Sequence, residues 1–262
     1  MIPRVRAIVL KEWADVFRNR IVVLLVALPP TLMVVLSIGV MYATVRFPTA
    51  DLEDMRPFLQ RPDFAGLTEM EAAQVVMAQY FLTLFLLMPL IIPVSIAAYS
   101  IVGEKLQRSL EPLLATPVET GELLLAKCLA AVTPALAVTW TAFAVFVAGA
   151  RLLAVSDQAF SRMVSPVWVL MVMLIAPLVA ALGVLLSIIA SSRLNDPRAV
   201  EQGIGVLVIP VIGLFIAQMT GVLTLNYLTL ALGAVALAAA DALMLRAAVR
   251  LFERETILTR WR

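Results

Sequence analysis

The apolar residues of this 262-residue chain fall into long runs that short charged segments separate. An α-helix rises about 1.5 Å per residue, so roughly 20 apolar residues cross the hydrocarbon layer of a bilayer. The sequence therefore predicts an all-α integral membrane protein with about six transmembrane helices in a single domain, 1–262. The predicted spans are 21–45, 75–102, 123–150 and 167–190, followed by two spans that share 203–249.

The boundary between the fifth and sixth spans is the least regular point of this pattern. Within 203–249, the polar stretch 218–226 is the sole interruption of the apolar run. This stretch favours either a plain turn or a re-entrant hairpin between the two spans. Asp241 is the one acid that falls clearly within a predicted span. Since a carboxylate is costly at membrane depth, Asp241 is a candidate intramembrane charge site, with a structural pair to Arg246 as the alternative.

The segments that flank the first span have different characters. Residues 1–20 predict an amphipathic helix in the membrane interface with Trp13 as an anchor, or alternatively an extension of the first span. The segment 46–74 is too short for a folded domain of its own. Thr68 and Glu71 have the spacing of a capping box, which predicts a short helix leading into the second span.

The distribution of basic residues predicts the orientation. Fifteen of the 20 Lys and Arg residues lie in one alternating set of connecting segments that includes both ends of the chain. Basic residues accumulate on the cytoplasmic side, so both termini are predicted to be cytoplasmic and 46–74 to be external. An even number of spans agrees with this orientation, because it places both termini on the same side of the membrane.

Composition narrows the chemistry that the chain can perform. Hydrophobic residues make up 62% of the chain and charged residues 15%, and the net charge is +2. The chain lacks histidine, the commonest metal ligand and general base, and its single cysteine, Cys128, cannot form an intramolecular disulfide. These features point to no catalytic, metal or cofactor site. The net charge argues neither for nor against nucleic acid, and no nucleic-acid partner is expected. Pro89 and Pro93 predict two kinks one turn apart in the middle of the second span.

The cytoplasmic loop 103–121 carries the most information about function. Glu104 and Arg108 are four residues apart with the acid first, which favours a helical side-chain pair. Leucines at 110, 113 and 114 form a small apolar face, and Thr116–Pro117 ends the helix because the residue before proline avoids helical geometry. Physical reasoning leaves two partners open for this face, the membrane interface and a groove on another protein.

This loop resembles the signature loop of permease subunits in the ABC transmembrane type-2 family. The resemblance lies in a charged start, an acid, two leucines, Thr-Pro and a leucine run that ends in lysine. Ser109–Leu110 and Ala126 depart from the family's usual glycine-containing pattern. The matching residues are Glu104, Lys105, Arg108, Glu111, Leu113, Leu114, Thr116, Pro117, Glu122, Leu123, Leu124 and Lys127.

The resemblance implies a permease of an ATP-binding-cassette exporter in a prokaryotic cell (inner) membrane. The loop would be a coupling helix that docks on a separate ATPase subunit, which would bind ATP and Mg. A second permease copy, identical or related, would complete the pathway. The chain has no Gly-x-x-x-x-Gly-Lys-Ser/Thr segment, so it is not expected to bind or hydrolyse ATP itself. The predicted docking residues are Glu104, Arg108, Leu110, Glu111, Leu113, Leu114, Thr116, Pro117 and Glu122.

Two other classes of protein fit the sequence less well. An ATP-independent secondary transporter or channel would be expected to show internal repeats and paired midplane charges, and the sequence shows neither convincingly. A membrane-embedded enzyme would need catalytic side chains that converge at membrane depth. The transported substrate does not follow from the sequence.

Overall fold

The computed structural model describes residues 2–46, 61, 64–106 and 120–251. Those residues are 88% helical and contain no strand, so the predicted all-α class is confirmed. Six segments within them are long and apolar enough to cross a membrane, which confirms the predicted number. Spans 1 to 6 are Arg20–Arg46, Glu69–Lys105, Gly121–Leu153, Asp157–Ser191, Pro197–Met219 and Tyr227–Leu251.

Several spans consist of more than one helix. Spans 2, 4 and 5 each contain a break or a change of helix type. The α-helices of the described ranges are α1 (Ile2–Arg18), α2 (Arg20–Arg46), α3 (Glu69–Leu84), α4 (Leu87–Leu106), α5 (Thr120–Leu153), α6 (Asp157–Met163), α7 (Pro166–Leu170), α8 (Ala176–Ser191), α9 (Pro197–Ile204), α10 (Val208–Met219) and α11 (Tyr227–Leu251). A π-helix, Met171–Ile175, joins α7 to α8, and a 3₁₀ turn, Gly205–Leu207, joins α9 to α10.

Helix α1 is separated from span 1 by Asn19, whose side chain accepts a hydrogen bond from the backbone N–H of Ile21 at 3.0 Å. It packs mainly against the start of span 3. Trp13 fixes this contact because its indole N–H donates to the backbone oxygen of Ala130 at 3.1 Å. Phe17, one turn further along α1, remains 61% exposed. Helix α1 is therefore a distinct helix that lies along the bundle.

Span 2 forms the centre of the bundle. In the most apolar stretch of span 2, 78% of the residues are buried, compared with 22% for span 1, 17% for span 5 and 6% for span 6. Span 2 packs most extensively against span 4. Gly183 makes this close approach possible, since a Cβ atom there would lie 2.9 Å from Cγ2 of Val94 and 3.2 Å from the backbone oxygen of Leu90. Spans 1, 5 and 6 form the periphery.

The irregular points of spans 2 and 4 follow from their prolines. Pro89 has no N–H to donate to Phe85 four residues earlier, and span 2 breaks at 85–86, where Leu86 instead bonds to Thr83. Pro93 lies inside the following helix, α4. In span 4 the π-helix precedes Pro177. The Trp140 indole of span 3 donates to the backbone oxygen of Val172 in the π-helix at 3.3 Å.

Spans 5 and 6 are connected by a plain turn. Helix α10 ends at Met219 and α11 begins at Tyr227, so 220–226 is too short to hold a further helical hairpin. Gly221 allows the turn by adopting a φ of +72°, a conformation that side chains disfavour. The re-entrant alternative for 218–226 is therefore wrong, because Gln218 continues α10.

The bundle has two ends that differ in their polar contacts. We call them the α1 end and the hairpin end, the second defined by 64–68, 154–165 and 220–226. At the hairpin end the predicted capping box is confirmed, since Glu71 accepts from the backbone N–H of Thr68 at 2.8 Å and Thr68 caps the N–H of Glu71. The fully buried Gln74 side chain bonds to the backbone of Leu153 and Val155 at 2.9 and 3.0 Å. These bonds fix the span 3 to span 4 connection.

Candidate functional site at the α1 end

The structure describes the two edges of the predicted coupling loop. Glu104 lies at the end of span 2 and Glu122 at the start of span 3. Both are buried within the chain, with 9% and 7% of their surface exposed. The other predicted docking residues lie outside the described residues, namely Arg108, Leu110, Glu111, Leu113, Leu114, Thr116 and Pro117.

A buried lysine connects both sides of the loop to α1. The Nζ atom of Lys127 lies 2.7 Å from Oε2 of Glu104 and 3.0 Å from Oε1 of Glu12. It also donates to the hydroxyl of Ser100 at 3.0 Å. These contacts join the start of span 3, the end of span 2 and α1 at one point.

The second carboxylate of the site comes from α1. Glu12 is 4% exposed, and its Oε2 accepts a hydrogen bond from the Ser100 hydroxyl at 2.6 Å. The neighbouring Lys11 donates to Oε1 of Glu104 at 2.6 Å, so Glu104 has a lysine on each carboxylate oxygen. We call Lys11, Glu12, Ser100, Glu104 and Lys127 the α1 cluster.

The α1 cluster is close to electrically neutral, with two carboxylates facing two ammonium groups. Burial raises the pKa of Glu12, but the Lys127 charge and the Ser100 and Lys127 hydrogen bonds outweigh burial and hold that pKa below its ordinary value. Burial lowers the pKa of Lys11, but the hydrogen bond and charge of Glu104 outweigh it and raise that pKa. Glu12 and Lys11 are therefore charged at neutral pH, and each buried carboxylate of the cluster has the Lys127 ammonium within 3.0 Å to offset its desolvation.

A weaker contact holds the far edge of the loop. Arg4 of α1 lies 3.9 Å from the carboxylate of Glu122, and the Arg4 side chain is 54% exposed. Because Arg4 is exposed and the two groups are 3.9 Å apart, this pair contributes little free energy, roughly 1 kcal/mol or less. The ion pair between Arg4 and Glu122 mainly positions the loop, because through it α1 contacts both edges of the loop.

The α1 cluster borders a cleft of about 460 Å³ between α1 and the end of span 2. Asp15, Arg18 and Tyr99 line this cleft together with the cluster residues. Lys11 is 53% exposed there, while Lys127 is 5% exposed behind it. The site therefore has one face toward solvent and one toward the spans.

Asp241 lies apart from this site, in span 6. Its side chain is half-buried, and its Oδ1 has no hydrogen-bond partner among the described residues. Arg246 is exposed and forms no ion pair with Asp241 in the described chain. The pairing suggested for these two residues is therefore not what the structure shows.

Sequence reasoning identified two members of the α1 cluster as loop residues, Glu104 and Lys127, but did not predict that Glu12 and Ser100 would contact them. A signal for Glu12 was present. It is four residues from both Ile8 and Val16, so an acid interrupts the apolar face of α1. An acid on the packed face of a helix needs a buried partner.

The fold and the site define a multi-pass helical membrane protein in which the two described edges of loop 103–121 contact an N-terminal helix. A family model described as ABC-2 family transporter protein matches residues 6–230, more than half of the chain. The chain belongs to this family, as the loop predicted, and is a permease of an ABC transporter. Membership also implies ABC ATPase subunits as partners in general. A comparison with curated protein sequences found no match.

Proposed function

We propose that two permease copies, identical or related, form the translocation pathway of an exporter that separate ATPase subunits drive. ATP and Mg²⁺ bind to those subunits, and loop 103–121 docks on them. The observation that carries this proposal is the α1 cluster, which braces the loop at the point where an ATPase subunit would push. Lys127 reaches α1 and span 2 within 3.0 Å.

The burial of Glu104 and Glu122 divides the predicted docking residues into two groups. These two side chains face α1 and so position the loop. The remaining residues contact the ATPase subunit: Arg108, Leu110, Glu111, Leu113, Leu114, Thr116 and Pro117. A displacement of the loop then moves span 2, span 3 and α1 together, since separating buried charges would cost several kcal/mol, about 3–5.

The pairing of two copies is supported by the low burial of the peripheral spans. Large apolar side chains of span 6 point away from the bundle, with Leu232 63% and Val235 69% exposed. A second copy and lipid share this periphery. Asp241, half-buried and without a hydrogen-bond partner for Oδ1 among the described residues, is the charge that span 6 would bring to the pathway.

The α1 end faces the cytoplasm in this proposal, with both termini there, and the protein resides in a prokaryotic cell (inner) membrane. An even number of spans and the fifteen basic residues on that side support this orientation.

The test replaces Leu113 and Leu114 together by aspartate, with the double methionine variant as a matched control that keeps both positions apolar. Affinity purification in mild detergent should recover the ATPase subunit with the wild type and the methionine variant. The aspartate variant should insert normally but lose that subunit, because two desolvated charges in a docking groove are costly. Normal recovery of the subunit and of ATPase activity with the aspartate variant would show that the loop is not the docking element.

A further inference from the structure

Spans 2 and 4, which pack against each other more extensively than other pairs of spans in the described chain, are both irregular part of the way along. Span 2 breaks at 85–86, and span 4 contains the π-helix Met171–Ile175. Departures from α-helical bonding inside a helix mark kinks and hinges. One such point alone would have little effect, because a rigid helix packed along it would keep it straight. The relative level of the two irregular points is therefore decisive.

Contacts between the two spans place their irregular points at one level of the bundle. Both spans begin at the hairpin end, where the Ser156 hydroxyl donates to the carboxylate of Glu71. Further along, Gly183 of span 4 lies against Leu90 and Val94 of span 2. The break in span 2 and the end of the π-helix in span 4 each lie about two helical turns before this contact. The two spans are therefore irregular side by side.

The irregular points separate two groups of helices. Before the break of span 2, α3 packs against span 1, α6 and α10, whereas after it α4 packs mainly against α8, α5 and α9. We call α3, α6 and α10 the hairpin-end unit, and α4, α8 and α9 the α1-end unit. Spans 2, 4 and 5 each enter both units. Each is interrupted between them, span 2 at 85–86, span 4 at the π-helix and span 5 at the 3₁₀ turn Gly205–Leu207.

Each unit has side-chain bonds of its own. In the hairpin-end unit, the Thr83 hydroxyl of α3 donates to the side-chain oxygen of Gln218 in α10. In the α1-end unit, the Ser187 hydroxyl of α8 donates to the backbone oxygen of Val94 in α4 at 3.4 Å. Since these bonds lie within the units, each unit can move as one body without breaking them.

Span 3 holds both irregular points from one side. Its helix, α5, is continuous from Thr120 to Leu153. The ring of Phe146 in α5 lies 5.5 Å from that of Phe85 at the break, and the Trp140 indole donates to the backbone oxygen of Val172 in the π-helix at 3.3 Å. A ring contact and a single hydrogen bond fix the position of each point. Neither restrains the angle between the helices on its two sides.

We propose that the interruptions of spans 2, 4 and 5 form a hinge, about which the hairpin-end unit tilts relative to the α1-end unit. In a hinge, a few residues at the ends of elements absorb the change in backbone angles. Here these residues are 85–86, the π-helix and the 3₁₀ turn. The hinge is a property of the single chain, whereas its use to open the hairpin-end side of the pathway rests on the proposed function.

The test measures distances between two spin labels on the purified full-length chain in lipid nanodiscs. Cys128→Ser provides the background, so that the labels attach to introduced cysteines. Ser161→Cys and Gln202→Cys place the labels in different units, and we call them the cross-hinge pair. Ser161→Cys and Ile216→Cys place both labels in the hairpin-end unit. The three labelled positions are exposed.

The cross-hinge pair should give a broad or two-peaked distance distribution, and the pair within the hairpin-end unit a single narrow one, because tilting changes the first distance alone. Pro89→Ala supplies the backbone N–H that span 2 lacks at its break, so it should reduce the cross-hinge distribution to one narrow peak. Pro93→Ala is the matched control, since Pro93 lies inside α4, and it should leave the distribution unchanged. Trp140→Phe removes the bond to the π-helix and should broaden the distribution.

Equal widths for the two label pairs in the Cys128→Ser background would overturn the proposal, whatever the further variants show. Equal effects of Pro89→Ala and Pro93→Ala would also overturn it, because the motion would then not depend on the break. The permease is measured without a partner. Failure to recover an ATPase subunit, which would contradict the proposed function, therefore leaves this result unaffected.

Discussion

Replacing Lys127 by methionine tests the energetic role of the α1 cluster. The substitution keeps the length of the side chain and removes its charge. At an effective dielectric constant of about 20, each contact of the Lys127 ammonium with Glu12 or Glu104 contributes about 6 kcal/mol of Coulomb attraction before desolvation is counted. Removing the lysine leaves two buried carboxylates with only the half-exposed Lys11 among the cations of the cluster, and breaking a buried ion pair typically costs about 3–5 kcal/mol of folding free energy.

The control is Lys11→Met, which removes the other lysine that contacts Glu104. Lys11 is 53% exposed, whereas Lys127 is 5% exposed. Water and salt screen an exposed ammonium, so this variant should cost about 1 kcal/mol or less. Free energies of unfolding are compared by titrating the purified protein from mild into denaturing detergent and following helicity by circular dichroism.

A double-mutant cycle isolates the central contact of the cluster. Adding Glu12→Gln to Lys127→Met removes one of the two stranded carboxylates, so the double variant should be more stable than the sum of the single effects predicts, by about 1–3 kcal/mol. Equal losses for Lys127→Met and Lys11→Met, or additive effects in the cycle, would refute the assignment of Lys127 as a buried cluster centre.

Two further predictions concern packing and pH. Gly183→Ala should lower the free energy of unfolding by about 1–3 kcal/mol, because the new methyl group meets Val94 and the backbone oxygen of Leu90. Gly149→Ala should change it by less than about 1 kcal/mol, because its methyl group meets the flexible side chain of Ile38. Comparable losses for the two variants in detergent unfolding would contradict this prediction. Since the pKa of Glu12 is lower in the folded state, its contribution is complete above the unfolded value of about 4.3 and is lost as the pH falls through the folded pKa. Glu12→Gln should therefore flatten the decline in stability below about pH 4.3, and an unchanged decline would exclude Glu12 as a contributor.

The positions of the spans could be predicted because hydropathy is a local property of the sequence. The first predicted span, 21–45, matches Arg20–Arg46, and the third, 123–150, lies within Thr120–Leu153. The kink predicted at Pro89 is a break at 85–86, since a proline disrupts the helix one turn before itself, whereas Pro93 lies inside the continuous helix α4. The turn between spans 5 and 6 was left open because polarity alone does not distinguish a turn from a re-entrant hairpin.

The two polar sites could be predicted only in part because their residues are distant in sequence. Lys127 was recognised as the end of a leucine run, but its contact with Glu12, 115 residues away, depends on where α1 packs. The cavity of about 160 Å³ at the hairpin end combines Arg61, Trp168 and Gln218 from three separate parts of the chain. No local pattern indicates that such residues meet, and the packing of the spans decides it.

The central claim is that this permease is braced at the α1 end to receive force from an ATPase subunit. Affinity purification of the wild-type chain in mild detergent, with ATPase activity measured on the isolated complex, tests it most directly. The account predicts that an ATP-binding subunit is recovered with the permease and that Lys127→Met lowers the ATPase activity or the recovery of that subunit. Purification of a folded permease with no ATP-binding subunit and no ATPase activity would contradict it.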